Sequence, residues 1–118
     1  MVKTLSKAEI YHDKGLEKIV ERLMDSDEDY VVFKKEIFYG LRGNGEIDVL
    51  ALNDNYLLFF EHKGRHSYLG KKKAYKQLKR EFNYLEYLFP QRRLFAFYTH
   101  QEGDNIKYYW IKKKDLFK

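Results

Sequence analysis

Apolar positions fall into two alternating periods along the chain. Ile10, Leu16, Ile19, Val20 and Leu23 recur at helical spacing behind Ser6 and Glu9, which are placed as in a capping box. This predicts a first helix from about Ser6 to Met24, with Gly15 as its weak point. The acidic run Asp25-Ser26-Asp27-Glu28-Asp29 ends the pattern as a loop, and a β-rich segment begins at Tyr30 to Phe33 and continues through Glu36 to Tyr39. Gly40-Leu41-Arg42-Gly43-Asn44-Gly45 reads as a flexible turn. Two strand-like runs follow, Gly45 to Leu52 and Tyr56 to Lys63, separated by Asn53-Asp54-Asn55 as a hairpin turn. After a connector from Gly64 to Gly70, helical spacing returns from Lys71 to about Phe89 and is stopped by Pro90. One face of this second helix carries Leu78, Phe82, Leu85 and Phe89 with Tyr75 beside them; Lys72, Lys73, Lys76, Lys79 and Arg80 occupy the opposite arc. Two further strands, Leu94 to Thr99 and Ile106 to Ile111, flank a polar turn containing Gly103. The order predicts one α/β domain over residues 1–118, with a mixed β-sheet flanked by helices.

Composition narrows the chemistry. The 118 residues suit a single core, and a net charge of +5 favours polyanionic partners. With no cysteine, disulfides, thiolate metal sites and a cysteine nucleophile are excluded. No apolar run approaches the length of a bilayer span, so the expectation is a soluble, intracellular, cytoplasmic protein without membrane contact.

The hairpin holds the most informative residues. Asp48 stands inside the first apolar run, while Glu61 and Lys63 stand two apart on the second and therefore share a face. Two carboxylates in apolar strands cost desolvation energy unless something compensates them. A hard divalent cation held between them, with an ammonium to orient water or a phosphate oxygen, supplies that compensation and points to phosphodiester cleavage. His62 alternates to the opposite face, where its side chain is expected to be structural or packed beneath the second helix, and His12, His66 and His100 lack metal-ligand spacing with one another. Lys112-Lys113-Lys114 reads as a solubilising tail or as edge-strand protection.

A helix-borne glutamate, then Gly45-Glu46-Ile47-Asp48, then Phe60-Glu61-His62-Lys63, then a basic helix with Gln77 resembles the PD-(D/E)xK nuclease superfamily over about residues 14 to 88. Ile47 stands where the motif's proline would be. The resemblance implies a restriction-endonuclease-like core in which Asp48 and Glu61 ligate Mg2+, with Mn2+ as a substitute, helped by the backbone carbonyl of His62. It implies Lys63 as the catalytic lysine and Glu17, preferred over Glu21 one turn on, as the helix-one acid. Gln77 resembles the glutamine of RecB-like members, and the scale of the chain resembles small Holliday-junction resolvases, which work as homodimers. The implied activity is a magnesium-dependent DNA nuclease of structure-dependent or non-specific recognition, with DNA contacts from Arg42, Arg65, Lys72, Lys73, Lys76, Gln77, Lys79 and Arg80. The alternative from another class is a nucleic-acid-binding domain that keeps the fold without turnover.

Overall fold

The computed structural model describes residues 6–40 and 43–118. Helix α1 spans Lys7–Met24, and Ser6 caps it by accepting the Glu9 N–H. Strands β1 (Val31–Gly40), β2 (Gly43–Leu52) and β3 (Tyr56–Lys63) precede helix α2 (Tyr68–Leu88). Strands β4 (Arg93–Glu102) and β5 (Asn105–Ile111) follow, and a short helix α3 (Lys113–Leu116) ends the described elements. Helix α2 starts three residues earlier than the sequence predicts. Ser67 takes the cap position and accepts the Gly70 N–H, so the stretch read as connector already includes the helix's first turn. The lysine run near the end is likewise partly helical, because Leu116 buries its side chain against the core.

The five strands form one sheet in the order β1-β2-β3-β4-β5. Only β3 and β4 pair in parallel, joined by the α2 crossover; the other neighbours are antiparallel. Each face has its own core. Leu16, Ile19 and Leu23 of α1 pack on Val49, Ala51 and Phe60. On the other face, Ala74, Leu78, Phe82 and Leu85 of α2 pack on Ile47, Leu50, Leu57, Phe59, Ala96 and Tyr98, with Leu116 of α3. Packing on both faces buries the central strands, which explains why they read as nearly continuous apolar runs.

Two irregularities open this sheet at one point. The first is a reversal of side-chain alternation: Val49 and Ala51 belong to the α1 side, yet Ile47 belongs to the α2 side. Asp48 sits at the reversal. The ladder pairs Lys34 with Val49 and Glu36 with Ile47, and Lys35, between them, has φ of 54°, a left-handed conformation that a non-glycine residue adopts at a cost of about 1 kcal/mol or more. The second irregularity is a splay, because β2 and β3 cease to pair beyond Val49 and Phe60. Glu61, His62 and Lys63 therefore leave β2 while remaining paired to β4.

Candidate active site at the splayed hairpin

The splay leaves the His62 N–H without a strand partner, and the Asp48 carboxylate takes it at 2.8 Å. This bond holds Asp48 toward β3 and supplies one donor to a buried anion. By strand alternation Glu61 and Lys63 turn toward α2 and His62 toward α1. Lys63 Nζ lies 3.7 Å from Glu61 Oε1 and donates to Gln77 Oε1 at 3.3 Å. The structure thus brings together Asp48, Glu61, Lys63 and Gln77, with the His62 carbonyl nearby.

Two residues that the sequence did not single out complete the arrangement. His12 of α1 places Nε2 3.4 Å from Asp48 Oδ2 and 3.1 Å from the His62 carbonyl oxygen, bridging them as a cation would. Its position fits the inward stripe of α1, one turn before Gly15 and Leu16, and that spacing was the available signal. The hydrogen bond to Asp48 raises the imidazole above its ordinary pKa, against the opposing effect of burial. Glu81 of α2 is only 1% exposed and interacts with Glu61, so Asp48, Glu61 and Glu81 stand in series as three buried carboxyl groups. Its signal was a charge inside the apolar stripe of Leu78, Phe82 and Leu85.

Three buried acids need compensation. Among the described residues, Glu61 Oε2 and Glu81 Oε1 meet no hydrogen-bond donor. Burial is the largest influence on both groups and drives their pKa values well above the ordinary carboxylate range; the Asp48 charge adds to this for Glu61, and the Glu61 charge does so for Glu81. Lys63 only partly offsets the effect at Glu61. Among the described residues, no three His, Asp or Glu side chains form a ready metal cage. The donor set of Asp48, Glu61 and the His62 carbonyl nevertheless fits a magnesium ion, which takes one or two carboxylates and keeps several waters. The orphaned Glu61 oxygen is the observation behind that fit.

Glu17 is not part of this site. Its carboxylate is exposed and pairs with Lys34 of β1, because the inward stripe of α1 runs through Gly15, Leu16, Ile19 and Leu23 and leaves residue 17 on the outer face. Glu21 lies on that exposed side as well. His62 also departs from expectation, since it packs beneath α1 and not beneath the second helix. A Cβ on Gly15 would fall on the imidazole. Thr99 bonds His62 Nδ1 at 2.8 Å, while Nε2 is buried without a hydrogen-bond partner among the described residues. Burial, reinforced by the nearby His12, lowers the His62 pKa to about 4. Thr99→Val removes the one hydrogen-bond partner this ring has among the described residues, and is expected to cost about 1–3 kcal/mol in urea unfolding.

The expected basic contacts divide. Lys72, Lys73 and Lys76 are exposed on α2, and Arg65 is exposed on the loop before it. Lys79 and Arg80 are exposed on α2 as well, with their cationic ends over the rings of Phe117 and Phe38. Arg42 falls outside the described residues.

No protein-family model matches the chain, and no curated protein matches it. Among solved structures, it is similar to a crystal structure of a protein of unknown function, AF1548, with 17% identity and a TM-score of 0.50. The match covers 80% of this chain and 50% of that one, so the chain spans half the length of its structural neighbour. Among the described residues, no helix is long and apolar enough to cross a membrane. At this identity the likeness concerns fold alone, and the chain is an α/β protein whose five-stranded mixed sheet is flanked by helices.

Proposed function

We propose that this chain is a magnesium-dependent DNA nuclease of the PD-(D/E)xK superfamily, with a restriction-endonuclease-like core and its active site at the splayed hairpin. The observation that carries the proposal is the convergence of Asp48, Glu61 and Lys63 beside buried carboxyl oxygens that lack donors. Salt bridges alone do not account for that arrangement. Burial drives Glu61 and Glu81 toward the neutral form, and the cationic groups beside the acids, Lys63 at Glu61 and His12 at Asp48, offset only part of the cost of ionising all three.

Asp48 and Glu61, with the His62 carbonyl, would hold the cation. When bound, magnesium neutralises charge on the phosphoryl oxygens and acidifies a ligated water. The residues of the chain do the positioning. The His62 N–H fixes Asp48, and Gln77 holds Lys63 at the lip of the acids. From there the ammonium donates to the attacking water or to a non-bridging phosphate oxygen, where negative charge grows in the transition state. His12 donates to Asp48 and the His62 carbonyl, keeping both oriented. The exposed lysines of α2 and Arg65 would contact phosphates, giving binding that weakens steeply with salt and reads little sequence.

The test is an activity assay with magnesium on four-way junctions, duplexes and single strands. Wild type cuts at least one of them, and Asp48→Ala, folded by circular dichroism, cuts none. Binding without cleavage by wild type under every condition would instead assign the chain to non-catalytic nucleic-acid binding.

A further inference from the structure

Beside Lys63 the surface forms a groove of about 500 Å³ lined by Tyr11, Lys63, Gly64, Arg65, Ser67 and Gly70. Lys63 belongs both to this groove and to the acidic site, so a phosphate held at Lys63 places its neighbouring nucleotide in the groove. The lining matches the parts of a nucleotide. Lys63 and Arg65 supply positive charge for phosphate, and Tyr11 supplies a half-exposed aromatic ring. A Cβ on Gly64 would lie 3.3 Å from two ring carbons on one edge of Tyr11, so the glycine lets the ring edge come close to the chain there. The volume lies in the range of single small-molecule pockets.

We infer that this groove binds one unpaired nucleotide next to the scissile phosphate, its base stacked on Tyr11 and its phosphate on Arg65, so that single-stranded DNA is the preferred ligand. The inference rests on the nuclease reading for the word scissile, but its binding claim stands apart from cleavage. An aromatic ring gains from a base only when a face of that base is free, and in a continuous duplex both faces are already stacked. Phosphate contacts, by contrast, are available in either form. Tyr11 therefore discriminates while Arg65 does not.

The experiment measures fluorescence anisotropy with a labelled oligothymidylate and a hairpin duplex, both in EDTA, so that cleavage plays no part. Tyr11→Ala is expected to weaken the single strand roughly tenfold, as loss of one base–aromatic stack should, and to leave the duplex within about twofold. Tyr11→Phe keeps the ring and should bind both as wild type does. Arg65→Ala should weaken both ligands and flatten the salt dependence. The inference is overturned if Tyr11→Ala affects both ligands equally or neither, or if the oligothymidylate does not bind wild type. Those outcomes leave the cleavage assay with Asp48→Ala unaffected, so the two readings fail separately.

Discussion

Lys63→Ala should lower DNA cleavage by about 10²- to 10³-fold, the usual loss when one preorganised donor to developing charge is removed. Lys63 is half-buried and makes two polar contacts, at 3.3 Å to Gln77 and 3.7 Å to Glu61, so the fold loses little when it is shortened. Its removal leaves Asp48 and the His62 carbonyl in place to hold the cation. The defect therefore belongs in the rate of turnover under single-turnover conditions, with DNA affinity changed by less than about tenfold. A variant that cuts at the wild-type rate while staying folded would remove Lys63 from the mechanism. Gln77→Ala, which acts through Lys63, should show a smaller loss in the same direction.

The second large effect is on stability. On an exposed helix, replacing glycine with alanine gains about 1 kcal/mol. Gly15→Ala should instead lose about 2 kcal/mol or more, because the new methyl group meets the buried His62 ring, with Cδ2 at 2.7 Å and Cε1 at 3.1 Å. The ring is not free to move, being bonded to Thr99 and enclosed beneath α1. Chemical unfolding of the single variants and of the pair Gly15→Ala with His62→Ala tests the cause. If the clash is responsible, the double variant is markedly more stable than the sum of the two single losses. Strict additivity would place the role of Gly15 elsewhere.

These residues show what periodicity reveals and what it hides. The alternation of Glu61, His62 and Lys63 put the acid and the lysine on one face, and the structure keeps them there. Turn and cap chemistry located both long helices to within a few residues. What could not be read was the splay beyond Val49 and Phe60, because the end of a ladder depends on contacts from distant segments and not on the strand's own residues. The left-handed Lys35 opposite Asp48 is equally silent, since lysine carries no mark of such a conformation. Glu17 was favoured by its nearness to Gly15, but nearness in sequence says nothing about helix face; the inward position one turn earlier belongs to His12. Glu81 stood in plain view within an apolar stripe, though its partner lay on another element.

The buried acids give the metal-free protein a particular pH dependence. Glu61 and Glu81 titrate higher in the folded chain than in the unfolded one. Their contribution to stability is present below the ordinary carboxylate range and is lost as pH rises through the folded values. His12, also raised, adds to the loss as pH rises. His62 acts in the opposite sense: with a folded pKa of about 4, it contributes stability above the ordinary imidazole value and loses it on acidification. Together these groups narrow the stable range from both sides.

The most direct test of the cation site is thermal melting at about pH 6.5 and about pH 9, with EDTA or with magnesium in excess, for wild type and for Asp48→Ala. Wild type in EDTA should melt lower at the higher pH, and magnesium should restore most of that loss, since a cation binding the ionised acids stabilises only the folded chain. Asp48→Ala should gain much less from magnesium. A wild-type melting temperature that magnesium leaves unchanged at both pH values would contradict a cation held between Asp48 and Glu61.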